Sequence, residues 1–161
     1  MIERIGLLAI NAIARSAPCR VETLAYGDDK RQRLDWYRLP GNDLRPTVIF
    51  FYGGNWRSGR RRDYRFVADT LATFGYDVVV PDYRLFPSVR FDAILEDATL
   101  AARQALAHID SKSPVFVMGH SAGAQISALL TLNENLLENR TRIKAMVGLA
   151  GPYRLLSLYR R

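Results

Sequence analysis

Three short, uninterrupted apolar runs constrain this chain more than any other feature: "TVIFFY" (47–52), "DVVVP" (77–81) and "VFVMG" (115–119). A strand with one wet face alternates apolar and polar residues. A run without alternation marks a strand covered on both faces. "IKAMVGLAG" (143–151) reads as a fourth strand of the same kind. Helical periodicity fills the gaps. One helix starts near Asp63, sets Val67, Leu71 and Phe74 on one face, and stops at Gly75. The next carries Ile94, Ala98, Ala101, Ala102, Ala105 and Ile109 on one stripe and breaks at "SKSP". A third runs from about Ser121 with Ala122, Ile126, Leu129 and Leu130 aligned. Ahead of them, "VETLAYG" (21–27) and "QRLDWYRL" (32–39) predict a hairpin turning through "DDKR". Strands alternating with helices predict an α/β fold: a mostly parallel sheet, helices on both faces, right-handed crossovers.

A chain of 161 residues reads as a single domain, 1–161, long enough to bury a real core. No apolar run approaches the ~20 residues of a membrane helix, so no membrane partner is expected. The opening "MIERIGLLAINAIARSAPC" predicts an amphipathic helix rather than a signal peptide. Glu3 weakens the basic head, and Asn11 interrupts the apolar stretch. Cys19 is the single cysteine and reads as a small packed residue. An internal disulfide is excluded, which suits a reducing, cytoplasmic setting. The net charge is +7, densest at Arg57, Arg60, Arg61 and Arg62 in "WRSGRRRDYRF". A second excess follows Glu138: Arg140, Arg142, Lys144, Arg154, Arg160 and Arg161. Neither zinc-ligand spacing nor an aromatic–basic motif accompanies these charges. They read as solvated surface, and no nucleic-acid partner or metal is expected.

The chemistry concentrates at "VMGHSAGA" (117–124), a Gly119-x-Ser121-x-Gly123 pattern between a buried strand and an apolar-faced helix. A nucleophile elbow needs that context, and its tight turn needs tiny neighbours. Gly119, Ala122, Gly123 and Ala124 supply them. Ser121 is then held at the tip, near a helix N-terminus that favours developing negative charge. "FYGGNW" (51–56) follows another buried strand. Acyl transfer passes through an oxyanion that requires preorganised N–H donors. The backbone N–H groups of Gly53, Gly54 and Ala122 are the candidates. A plain glycine turn is the competing reading at each site.

These segments together resemble the α/β-hydrolases of the carboxylesterase and hormone-sensitive-lipase-like type, including kynurenine-formamidase-like relatives. "FYGGNW" is similar to that family's His-Gly-Gly-Gly-Trp oxyanion loop, "PDYRLFP" (81–87) to its Asp-Tyr-Arg-Leu-x-Pro segment, "GHSAGA" to its elbow, and "GLAGPY" (148–153) to a later segment. The match runs from about residue 20 to 153. Tyr52 stands where the family usually has His, and Asn55 where a third Gly is common. The resemblance implies hydrolysis of a small acyl ester, or of the N-formyl amide of formylkynurenine. Side chains and backbone N–H groups do that chemistry, with no cofactor.

In this fold the partners follow the serine in the order Asp or Glu, then His. After Ser121 the sequence contains no Asp and no His; Glu134 and Glu138 are the only acids. His120 adjoins the serine and is expected to pack locally. His108 is expected at the amino end of the 115–119 strand, roughly 17 Å from its carboxyl end. Asp82 is expected to hold its loop, and Asp97 to be solvated or capping. The resemblance therefore predicts a C-terminally truncated hydrolase lacking the last two strands, with impaired activity. Its edge strand "IKAMVGL" would lack helical cover and invite self-association. Two alternatives stand beside this: a second polypeptide supplies the acid and base, or the fold serves as a non-enzymatic ligand-binding or scaffolding module.

Overall fold

The computed structural model describes residues 17–41, 44–138 and 140–153. The predicted N-terminal amphipathic helix, up to residue 16, and the basic tail from Arg154 lie outside them. Nine regular elements form along the described chain: β1 (Arg20–Ala25), β2 (Arg33–Arg38), β3 (Thr47–Phe51), α1 (Arg65–Thr73), β4 (Asp77–Pro81), α2 (Phe91–His108), β5 (Val115–His120), α3 (Ala122–Leu132) and β6 (Ile143–Leu149). Short 3-10 turns at Arg61–Tyr64 and Arg140–Arg142 lead into α1 and β6.

The strands join in the order β1-β2-β4-β3-β5-β6. The β1–β2 hairpin attaches antiparallel to β4, and β4, β3, β5 and β6 run parallel. This is the mostly parallel sheet expected from the alternation. Trp36 and Tyr37, neighbours on β2, point to opposite faces. Trp36 meets His108 of α2 edge-on at 6.3 Å. Tyr37 lies in the field of Arg65 and Asp69 of α1. Helix α1 thus covers one face, while α2 and α3 pack together on the other. Strands β3 and β4 are buried at every residue, as their unbroken apolar runs require. The α2 stripe Ile94, Ala98, Ala101, Ala102 and Ala105 is buried, with Ile109 just beyond.

Four expectations need correction. Phe74 does not join the apolar face of α1; it is 74% exposed. The helix ends at Thr73, and Gly75 at φ +86 turns the chain away. Ala68 and Ala72 make the buried contacts instead. Strand β6 is not covered on both faces: it is the sheet edge, with Val147 47% and Leu149 44% exposed. Among the described residues nothing pairs with its outer side. Strand β5 is fully buried only on the face of Val115, Val117 and Gly119; Phe116 and Met118 are half-buried.

Asp97 is the fourth correction. It is neither solvated nor capping but fully buried, with 0% exposure. Its carboxylate takes Arg84 in a forked contact, Nη2 at 2.6 Å and Nε at 2.9 Å. It also accepts the Arg84 backbone N–H at 2.8 Å and Gln32 Nε2 at 2.8 Å. A buried carboxylate persists only when paired and hydrogen-bonded. Asp97 satisfies that condition by tying α2 to the hairpin and to the segment after β4. Asp97→Ala is expected to lower unfolding free energy by about 3 kcal/mol, read from urea denaturation. A change below about 0.5 kcal/mol, the surface-substitution range, would contradict this role.

Candidate active site

The carboxyl ends of β3, β4 and β5 lie side by side, and the turns leaving them meet there. Phe51 of β3 pairs with Gly119 of β5. Ser121 follows β5 directly and precedes α3. Its backbone has φ +52 and ψ −118, a region that costs a non-glycine residue roughly 1–3 kcal/mol. Hydrogen bonds from both sides hold it. The Ser121 N–H donates to the Leu149 carbonyl of β6 at 2.8 Å, and the Ser121 carbonyl accepts from Ala124 N–H at 2.9 Å. The small neighbours are sterically required. A Cβ on Gly119 would run into the Gly123 carbonyl, and one on Gly123 into the carbonyls of Phe51 and Tyr52. Backbone touches backbone here, and no side chain can yield.

Gly53 lies against the serine: a Cβ built on it would stand 3.1 Å from Ser121 Cβ and 2.8 Å from His120 Nδ1. Gly54 has φ +132, followed by Asn55 at +52 and Trp56 at +58. The tight turn closes through the Gly54 carbonyl, which accepts from the N–H groups of Arg57 and Ser58, each at 3.0 Å. Asn55 adopts the left-handed conformation that a third glycine would otherwise supply. Among the described residues, no backbone carbonyl accepts from the N–H of Gly53, Gly54 or Ala122. For Ala122 this follows from its place at the first position of α3.

Tyr52 is the site residue whose part sequence reasoning missed. It is fully buried, and its ring stacks between Tyr64 at 5.3 Å and Tyr83 at 4.8 Å. Its hydroxyl donates to Asp82 Oδ1 at 2.8 Å and accepts from Arg31 Nη2 at 3.0 Å. Its carbonyl accepts from the Tyr83 hydroxyl at 2.9 Å. Burial pushes the phenol well above its ordinary pKa, and Tyr83 and Asp82 add to the shift. Tyr52 is therefore a fixed strut under Gly53 and Gly54. The signal available in sequence was the pairing of Tyr52 with "PDYR", which supplies both Asp82 and Tyr83.

Asp82 holds its surroundings, as expected. Besides Tyr52 it accepts the Arg61 N–H at 2.7 Å and Arg61 Nη1 at 2.6 Å. Arg61 Nε pairs with Asp35 at 2.8 Å. The two histidines lie where sequence placed them. His120 is exposed and sits over Gly53. His108 ends α2, with Nδ1 2.9 Å from the Gln104 carbonyl, at the amino end of β5. Among the described residues, neither histidine hydrogen-bonds Ser121. Among the same residues, no helix is long and apolar enough to cross a membrane.

Residues 48–157 match a family described as alpha/beta hydrolase fold, and the chain belongs to that family. It is 32% identical over 149 residues to isoprenylcysteine alpha-carbonyl methylesterase of Arabidopsis thaliana, covering 84% of this chain and 35% of that protein. It is 28% identical over 145 residues to the kynurenine formamidase of Danio rerio, covering 88% of this chain and 49% of that one. Among solved structures it resembles the Pyrobaculum calidifontis esterase, with a TM-score of 0.75 and 26% identity, over 89% of this chain and 48% of that one. The chain thus spans about a third to a half of the curated relatives it matches.

The close approach can be tested without any activity. Gly123→Ala drives a methyl group into two backbone carbonyls and is expected to cost more than about 2 kcal/mol. Gly75→Ala meets nothing within 4 Å; it carries only the strain of positive φ, about 1 kcal/mol. Thermal denaturation of the two variants should rank them in that order. Equal losses would remove close packing as the reason for Gly123.

Proposed function

We propose that this chain carries the nucleophile and oxyanion-binding half of a serine hydrolase acting on a small acyl ester or N-formyl amide. One observation carries the reading. The Gly53 backbone packs against a strained Ser121, and among the described residues no backbone carbonyl accepts from the N–H groups of Gly53, Gly54 and Ala122 in the two adjoining turns. Ser121 Oγ attacks the acyl carbon. The N–H groups of Gly53, Gly54 and Ala122 receive the oxyanion, and losing one such donor typically costs about 2.7–4 kcal/mol of barrier. The ester alcohol or amide nitrogen leaves with a proton, and water releases the acyl group. The relatives' names, a methylesterase and a formamidase, support both bond types.

No Asp or His follows Ser121 in these 161 residues. In this fold those partners follow the serine, so the chain on its own is expected to be slower by orders of magnitude. The same observation favours a second reading, a ligand-binding module on this fold without turnover.

A fluorophosphonate separates the two. Ser121 Oγ attacks phosphorus, fluoride leaves, and solvent hydroxide takes the proton that a histidine would have taken. Labelling is expected on the peptide containing Ser121 and should be lost in Ser121→Ala. Its rate should rise roughly tenfold per pH unit between pH 7 and 9, as hydroxide replaces the missing base. Equal labelling of Ser121→Ala would defeat the nucleophile assignment and leave the binding module. Repeated turnover of p-nitrophenyl acetate at pH 7 by the chain alone would show a base within it, and His108 and His120 would be the ones to test.

A further inference from the structure

The arginine cluster of "WRSGRRRDYRF" is not used by the hydrolytic chemistry. Arg60, Arg61 and Arg62 converge with Lys30 and Arg31 of the β1–β2 turn on one open cleft of about 510 Å³. Among the described residues, Asp82 is the only acid lining it. The cleft lies on the outer side of the Gly53–Gly54 loop, since Arg31 donates to the Gly59 carbonyl at 2.7 Å and to the Tyr52 hydroxyl at 3.0 Å.

The five cations fall into two groups. Arg31 and Arg61 are fixed by the interior. Arg31 also donates to the Tyr83 carbonyl at 2.8 Å, and Arg61 pairs with Asp82 at 2.6 Å and Asp35 at 2.8 Å. The two buried carboxylates neutralise these two guanidinium groups. Lys30, Arg60 and Arg62 are exposed, and among the described residues no carboxylate pairs with them. Asp28 and Asp29 share the hairpin turn with Lys30 but do not line the cleft. Three uncompensated positive charges therefore face one concavity whose floor is rigid. Walls of one sign focus the field and concentrate counter-ions of the other.

We propose that this cleft binds a multiply charged phosphate-type oxyanion, such as the diphosphate group of a small molecule. A single carboxylate would cancel one of the three free charges, whereas a diphosphate carries enough charge and acceptor oxygens to meet all of them. The volume lies within the range of small-ligand sites. The site is independent of the hydrolase reading and does not include Ser121.

Inorganic pyrophosphate is the probe, titrated calorimetrically into the purified chain at low ionic strength. Saturable binding with one site per chain is expected. The double variant Arg60→Gln/Arg62→Gln should bind at least about tenfold more weakly. Both side chains are exposed, so its melting temperature without ligand should match the parent. Ser121→Ala should bind as the parent does. Affinity should fall as salt rises. Absence of saturable binding, undiminished binding by the double variant, or an equal effect of chloride at matched ionic strength would each overturn the assignment. Loss of binding in Ser121→Ala would place the anion at the serine instead and also overturn it.

Discussion

Backbone-to-backbone contact at the carboxyl edge of the sheet is the constraint on which the rest of this structure depends. The end of β3, the end of β5 and the first turn of α3 occupy a space with no room for side chains. Gly123 faces the carbonyls of Phe51 and Tyr52, Gly119 faces the Gly123 carbonyl, and Gly53 faces Ser121. Hydrophobic burial of β3 and β4 brings the strands together, but it is indifferent to a fraction of an ångström at their ends. The glycines set that last distance. The serine between them sits in an unfavourable conformation.

Polar contacts of high order brace that edge from behind. Two buried carboxylates, Asp82 and Asp97, gather arginines from different parts of the chain and fix the segment after β4. Tyr52 and Tyr83 extend the bracing to the Gly53–Gly54 loop through stacked rings and a hydroxyl-to-carbonyl bond. The Gly53–Gly54 loop is thus held by hydrogen bonds on the side away from the serine.

The parallel core was legible because its signals are local and redundant: unbroken apolar runs for β3 and β4, a strong alanine stripe for α2, and glycines where chains must touch. Ser121, Gly53 and Gly54 could be placed on one edge because each follows a strand end. What escaped reading depends on partners distant in sequence. Asp97 looks like any helix-surface acid until Arg84 and Gln32 are folded around it. Tyr52 looks like a tolerated substitution until Asp82 and Tyr83 close on it. Phe74 has the right spacing for a buried face, but its helix ends one residue too soon. The exposure of β6 follows from what lies beside it, which periodicity within a strand does not encode.

The hydrogen bond from Ser121 N–H to the Leu149 carbonyl sets an order in time. A ribosome delivers Ser121 well before the strand that holds it. Until β6 docks, the serine N–H lacks its acceptor and the serine is free to relax toward an ordinary conformation. The strained serine conformation is thus among the last features acquired during synthesis. It is also among the first lost if the sheet frays from its open side, while the buried centre of the sheet stays intact.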